Sequence, residues 1–235
     1  DPIDVAATDN GVSVLRSAVA SADRLVLFAD QTQFTLMGNE LLTPKTVSIR
    51  PSTSFATSRV ARPVRAGNSI FFPVDRGQYT MIRDYKIDVN TGLADATDAT
   101  GHVPQYIPGT ALKIAASTHE DILMVQADGD PNALYVYKFY WSGDQQLQAS
   151  WSRWDFPGVT AILDIGFVDS ELVMIVNRAS GAYIETLQIQ PGGVDEHCRF
   201  VINLDRRFRV DDGSRTYDPY SNTTSVAMQV DTTDD

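Results

Sequence analysis

The stretch that decides the fold class is Asp121-Ile122-Leu123-Met124-Val125-Gln126-Ala127, then Asp128-Gly129-Asp130-Pro131-Asn132, then Ala133-Leu134-Tyr135-Val136-Tyr137-Lys138-Phe139-Tyr140-Trp141. Two runs of apolar, β-branched and aromatic residues flank a polar turn, which is the pattern of an antiparallel hairpin. The pattern recurs in three further pairs of segments: 24–28 with 33–36, 68–73 with 78–82, and 171–177 with 182–189. No segment sustains the apolar stripe of an amphipathic helix. The sequence therefore predicts an all-β protein.

The hairpins repeat along the chain. Their first strands begin near Leu25, Ile70, Ile122 and Leu172, at spacings of 45, 52 and 50 residues. Strand–turn–strand units with a period of roughly 40–50 residues are typical of β-propeller blades, since a small sheet buries both faces only between neighbouring sheets. We predict a β-propeller-like array of about four antiparallel hairpin or blade units, starting near 24, 68, 120 and 170, which is open, irregular or completed by missing chain. A β-sandwich is the alternative, because it also spaces hairpins regularly.

Other segments extend these units. We expect outer strands at 46–50 in the first unit, 145–154 in the third and 199–209 in the fourth. The Ser and Thr residues between 52 and 60 favour a short helical turn that Pro63 ends. We expect the propeller-like β domain to occupy residues 1–210. The remaining 211–235 form an acidic C-terminal segment with six Asp and one Arg, which we expect to be truncated or partly disordered.

The chain is acidic, with 19 Lys and Arg against 30 Asp and Glu in 235 residues and a net charge of −11. Sequence-independent nucleic-acid binding needs a basic face, so this composition argues against a protein that grips DNA or RNA. No run approaches the roughly 18–20 apolar residues of a membrane span, so we predict no membrane anchor. The chain begins at Asp1 without a Met, and we expect it to be a piece of a longer polypeptide.

Residues with the chemistry of a metal or nucleophilic site are few and poorly spaced. The three histidines, His102, His119 and His197, lack the i, i+4 spacing of a helical metal site. His197 and Cys198 are adjacent, so on a strand they point to opposite faces and do not form a catalytic pair. The basic cluster Arg206-Arg207-Phe208-Arg209 lies beside acids and is interpreted as ion-paired surface.

Two groups of carboxylates are candidates for an acid–base or calcium site. Asp128 and Asp130 lie in the hairpin turn, where Gly and Asp have the backbone preferences that turns need. Asp88, Asp95 and Asp98 lie in a predicted loop that begins like a calcium loop but lacks its later ligands. We therefore predict no catalytic, cofactor-binding or metal-binding residues, and no cofactor.

The aromatic residues of segment 135–141 alternate along the predicted strand, and Trp151 and Trp154 follow shortly after. Such side chains supply large apolar area, and we expect one or both faces to pack against neighbouring blades. The alternative is a platform on which sugar rings stack. A glycosidase would also need two carboxylates about 5–10 Å apart in an aromatic-lined cleft.

Several short motifs follow one another in a fixed order: Asp1-Pro2-Ile3-Asp4-Val5-Ala6, Ala61-Arg62-Pro63, His102-Val103-Pro104-Gln105-Tyr106-Ile107-Pro108, Gly129-Asp130-Pro131, Tyr137-Lys138-Phe139, Ser150-Trp151-Ser152-Arg153-Trp154-Asp155-Phe156, Ser214-Arg215-Thr216-Tyr217 and Asn222-Thr223-Thr224-Ser225. In this order they resemble the tail tubular protein B family, the tail nozzle proteins of short-tailed bacteriophages (podophages of the autographivirus type). The resemblance covers residues 1 to about 225. Because proteins of this family are much longer, the chain resembles their central part.

The resemblance implies a structural virion protein of the phage tail, made in the host cytoplasm, with a propeller-like domain and no catalytic residues. It implies a hexameric ring of full-length copies below a tail adaptor or gatekeeper protein, with tail fibres docked nearby. Viral DNA then passes through the lumen during ejection without specific binding. The alternative function is a tail-associated hydrolase or binder of host-surface polysaccharide.

The resemblance suggests a role for the net charge of −11, which is to keep DNA from adhering to the wall of the tube. An acidic wall repels DNA phosphates and gains none of the counterion-release affinity that a basic wall would gain. The simpler alternative is that excess acid keeps a virion protein soluble. The sequence does not distinguish the carboxylates that face a lumen.

Overall fold

A computed structural model describes residues 14–21, 24–38, 46–88, 91–142, 145–189 and 215–226. These residues form seventeen β-strands: β1 Leu15–Ser21, β2 Arg24–Ala29, β3 Gln33–Met37, β4 Ser48–Thr53, β5 Val64–Ala66, β6 Ser69–Arg76, β7 Tyr79–Ile87, β8 Ala94–Asp98, β9 Ala111–Ser117, β10 Ile122–Ala127, β11 Ala133–Ser142, β12 Gln145–Asp155, β13 Val159–Val168, β14 Glu171–Arg178, β15 Gly181–Gln188, β16 Arg215–Asp218 and β17 Thr223–Val226. The chain divides into two compact units, Asp1–Ile189 and Gln190–Asp235. The all-β prediction is confirmed.

The first unit contains four antiparallel sheets, each built from consecutive strands. We call them blade 1 (β1 to β4), blade 2 (β5 to β8), blade 3 (β9 to β12) and blade 4 (β13 to β15). The hairpins β2–β3, β6–β7, β10–β11 and β14–β15 lie where the sequence predicts them. In the second unit, β16 and β17 pair as a hairpin.

The blades follow one another through their first strands. Strand β1 packs on β5, β5 on β9, and β9 on β13, while the outer strands β4 and β8 also meet. Sheets that meet through their first strands are arranged radially, as in a propeller. None of the described sheets closes on itself, so the predicted open, propeller-like array of four units is confirmed.

A layer of buried side chains lies between each pair of neighbouring blades. Phe71 and Phe72 are adjacent on β6 and fully buried, so they point to opposite faces of blade 2. Phe72 lies 5.2 Å from Phe28 of blade 1, whereas Phe71 lies 6.1 Å from Tyr137 of blade 3, measured between ring centroids. A third layer, which includes Leu172, joins blades 3 and 4. The hydrophobic core is therefore divided between blades.

The expected helical turn between 52 and 60 is wrong. Strand β4 continues to Thr53, and the following chain wraps the side chain of Gln33, which is fully buried. The Gln33 amide donates to Phe55 O (2.9 Å) and Thr57 Oγ1 (3.0 Å). Thr53 Oγ1 donates to Gln33 Oε1 at 2.7 Å. The Ser and Thr residues thus satisfy a buried amide instead of capping a helix, because that amide is costly to leave unpaired.

Three further sequence predictions concern a loop and the outer strands of the blades. Asp95 and Asp98, expected in a loop, lie in β8, the outer strand of blade 2. The expected outer strand at 199–209 lies outside the described residues. The expected outer strands at 46–50 and 145–154 correspond to β4 and β12.

The connection from blade 2 to blade 3 is tightly built. Gly109 has a φ of +73°, which disfavours any residue with a side chain. A Cβ at this position would lie 1.9 Å from Asp128 Oδ1, which accepts a hydrogen bond from Thr110 N at 2.7 Å. The turn of the hairpin between β10 and β11 therefore fixes the point at which the chain enters blade 3.

Candidate assembly surface

The aromatic side chains of β11 form part of the layer between blades 2 and 3. Tyr135, Tyr137 and Phe139 are only 3 to 4% exposed. Tyr137 stacks on Trp151 of β12 at 4.9 Å, and the Trp151 indole donates to Ala99 O at 2.9 Å. The prediction that these aromatics pack between blades is confirmed. Their faces are taken up by protein, so they do not provide a platform for sugar stacking.

The carboxylates of the β10–β11 turn stabilise the turn and the outer strand. Asp130 accepts hydrogen bonds from Arg153 Nε (2.7 Å) and from the Tyr135 hydroxyl (2.9 Å). The Arg153 guanidinium holds the pKa of Asp130 below its usual value. Burial and the Asp130 carboxylate raise the pKa of Tyr135 to about 12. This network anchors the far end of β12 to the turn.

The other carboxylates singled out in the sequence bind their own backbone. Asp88 Oδ1 accepts from Thr91 N at 2.9 Å, and Asp98 Oδ1 accepts from Thr100 N at 2.8 Å. In the part of the chain that the structure describes, no three His, Cys, Asp or Glu side chains cluster as metal ligands. His102 and His119 are exposed. The positions of His197, Cys198 and the arginine cluster at 206–209 lie outside the described residues.

An ion pair within β7, at the face of blade 2 that meets blade 3, was not anticipated from the sequence. Asp84 is 6% exposed, and its Oδ2 lies 3.1 Å from Lys86 Nζ. Lys86 Nζ lies 3.2 Å from the ring centroid of Trp141, a cation–π contact across the blade interface. Burial raises the pKa of Asp84, while Lys86 opposes that shift. The alternation of side chains along a strand is the sequence signal for this pair, since positions 82, 84 and 86 share one face of β7 and so place Asp84 and Lys86 beside each other.

The outer strand of blade 3 presents the most open surface among the described strands. Strand β12 has eleven residues, and all of residues 145–150 are exposed. Beyond the end of β10, strands β11 and β12 continue as a two-stranded ribbon made of residues 140–142 and 145–148. On this ribbon Tyr140 is 50% exposed and Leu147 is 57% exposed. The arrangement is suited to contact with another polypeptide.

Comparison with known proteins identifies the family. A model of the bacteriophage nozzle protein family matches residues 1–235. The chain belongs to this family. Tail tubular protein gp12 of Escherichia phage T7 is 30% identical over 230 residues, which are 96% of this chain and 29% of that protein. The nozzle chain thus spans less than a third of that relative. The predicted role as a structural component of the phage tail, in the virion, is confirmed at this level.

Solved structures give looser likenesses to the nozzle chain. Kluyveromyces lactis Hsv2 has a TM-score of 0.49 and 9% identity, covering 91% of this chain and 72% of that one. The N-terminal domain of Nup159 has a TM-score of 0.41 and 9% identity, with 73% and 43% covered. The propeller-like description of this chain therefore rests on the strand order of its own sheets. No helix of its described residues is long and apolar enough to cross a membrane.

Proposed function

We propose that this chain forms part of the wall of the conduit through which viral DNA is ejected into the host. Membership of the nozzle family over residues 1–235 carries the proposal. In the full-length protein, copies form a hexameric ring that meets a tail adaptor or gatekeeper protein and the tail fibres. Buried apolar layers join neighbouring blades. This packing suits the role, because the wall of a tube needs to be rigid.

The proposed role needs no catalysis, cofactor or metal. The candidate carboxylates Asp98 and Asp128 bind backbone amides, and Asp130 binds Arg153. Three of the aromatic residues considered as a sugar platform, Tyr135, Tyr137 and Phe139, are buried between blades. These contacts favour a structural part over the alternative, a hydrolase or binder of host-surface polysaccharide.

The acidic composition supports a non-adhesive wall. With a net charge of −11, this part of the protein repels a polyanion wherever its surface faces the lumen. DNA then slides through the lumen without binding, because an acidic wall does not neutralise phosphates and so gains no affinity from the release of counterions. We also propose that residues 1–210 are the propeller-like body and that 211–235 are a separate acidic segment. Strands β16 and β17 lie within that segment.

The test is the mass in solution of the full-length chain, combined with electron microscopy of its assemblies. We expect closed rings of six copies whose lumen is wide enough for duplex DNA and lined by negative potential. A full-length chain that stays monomeric at micromolar concentration, alone and with its tail partners, contradicts the ring. A lumen lined by Lys and Arg contradicts the non-adhesive wall and leaves the ring intact.

A further inference from the structure

The outer strands of the blades differ in whether their free edge is closed. An edge strand exposes N–H and C=O groups that pair readily with another strand, and proteins protect such edges with charge, proline or coverage. In blade 2, Ala96 N donates to Asp95 Oδ1 at 2.8 Å, and Ala96 O accepts from Arg83 Nη1 at 2.6 Å. In blade 1, the outer strand β4 contains Pro51, which has no N–H, and packs on β8.

The outer edge of β12 has none of these protections over residues 145–152. The segment Gln145-Gln146-Leu147-Gln148-Ala149-Ser150-Trp151-Ser152 has no charged residue, no proline and no glycine. Among the described residues, only β11 forms backbone hydrogen bonds with this segment. Eight consecutive residues therefore present an unprotected strand edge to the surroundings.

The same segment is held firmly on its inner side. Trp151 stacks on Tyr137, and Gln146 Nε2 donates to the Tyr137 hydroxyl at 3.0 Å. Arg153 ties the far end of β12 to Asp130 at 2.7 Å. A strand that is already ordered loses little conformational entropy when a second strand pairs with it. The edge is thus preorganised for pairing.

We propose that the outer edge of β12, residues 145–152, pairs with an edge strand of a second copy of this chain. This inference rests on the proposed ring, in which copies contact each other head to tail. Two copies that each carry a net charge of −11 repel one another over most of their surface. An uncharged strand edge that contains the exposed Leu147, beside the exposed Tyr140 of β11, is where that repulsion is weakest and apolar area is available.

The test places a photoreactive amino acid, p-benzoylphenylalanine, at Gln148 of the full-length chain and irradiates the assembled protein. The matched control places it at Thr97, an exposed residue on the closed edge of β8. We expect cross-links between two copies from position 148 at several times the yield from position 97. Mass spectrometry of the product identifies the partner segment.

A second variant, Gln148→Lys, adds the kind of charge that protects natural strand edges. We expect it to lower the association constant between copies by about tenfold, with unchanged thermal unfolding of the free chain. Gln31→Lys, the same change in an exposed turn of blade 1, leaves association unchanged. Rings that form without cross-links from position 148, or with cross-links only to another tail protein, overturn this inference and leave the proposed function standing. Failure of the full-length chain to assemble overturns both.

Discussion

Blade 2 ends in the five-residue strand β8, whose central backbone groups are held by Asp95 and Arg83, whereas blade 3 ends in the eleven-residue strand β12, whose residues 145–152 carry no such protection. The faces that blades 2 and 3 turn toward each other are buried in one apolar layer. The two edges therefore differ in what they offer to other molecules. In a structural protein, the difference separates a surface closed within the chain from one available for assembly.

The largest expected effect comes from removing the support that the two blades share. Tyr137→Ala deletes a buried ring that contacts Phe71 of blade 2 and Trp151 of β12. We expect the free energy of unfolding to fall by about 3–5 kcal/mol, because the cavity removes contacts on both sides. Chemical denaturation of the chain measures this loss.

The control is Tyr140→Ala on the same strand, which removes a ring that is 50% exposed. We expect it to cost less than about 1 kcal/mol. Equal losses at the two positions would mean that β12 is not held from its inner side in the way described.

A smaller effect is expected from opening the closed edge. Arg83→Met removes the guanidinium that donates to Ala96 O and lies 3.8 Å from the Phe55 ring centroid. We expect a loss of about 1–2 kcal/mol, since the carbonyl then lacks its charged donor, and faster hydrogen exchange in β8, because the less stable strand opens more often. Arg76→Met, at an exposed position on β6, serves as the control and changes neither quantity. Unchanged exchange in β8 after Arg83→Met would show that the edge is closed by something else.

The smallest effects concern pH, and they have opposite signs in the two blades. Arg153 lowers the pKa of Asp130 below 3.8, so its contribution to stability is complete above that pH and is lost as the pH falls further. Burial raises the pKa of Asp84 above 3.8, so its contribution is greatest below that pH and declines as the pH rises through the raised value. We expect the stability difference between the wild type and Asp130→Asn to be under about 1 kcal/mol and to shrink in acid.

For Asp84→Asn, we expect the stability difference from the wild type to move in the other direction with pH. Thermal unfolding from pH 3 to pH 7 measures both differences, with Asp75→Asn at an exposed site as the reference. Parallel pH profiles for the two variants would contradict the assigned environments of these carboxylates.

Much of the architecture could be predicted from the sequence, because hairpins leave a local signal. The alternation in 135–141 and the Asp-Gly-Asp-Pro turn before it specify a hairpin without long-range information. The strands that precede the predicted hairpins, β1, β5, β9 and β13, leave no comparable signal in the sequence. Strand β5 has only three residues and β9 is rich in alanine, because closely packed first strands favour small side chains such as Ala66 and Ala111. Their signal is therefore weak.

Two errors in the sequence interpretation concern polar side chains. The Gly, Thr, Asn and Ala residues around Asp95 predict a loop, yet Asp95 lies in β8, where its carboxylate accepts a hydrogen bond from Ala96 N at the edge of the strand. The Ser and Thr residues between 52 and 60 favour a helical turn in the sequence, yet Thr53 at the end of β4 and Thr57 after it bind the buried Gln33. Thr53 and Thr57 take their role from a tertiary partner, whereas Asp95 binds the amide of the next residue in its own strand. The open edge of β12 leaves no signal in the sequence, because it is defined by which strands pair with it in the fold.

Hydrogen exchange of the full-length chain, compared strand by strand before and after assembly, tests the contrast between the two edges most directly. Because alternate amides of residues 145–152 point to the free edge and the others to β11, we expect the outward-pointing amides to become protected on assembly by tenfold or more, since they then donate to a second strand. We expect amides of β8 to keep the same exchange rates in both states, since Asp95 and Arg83 already hold its central groups. Equal exchange at 145–152 in the free and assembled chains, or new protection confined to β8, would contradict the account.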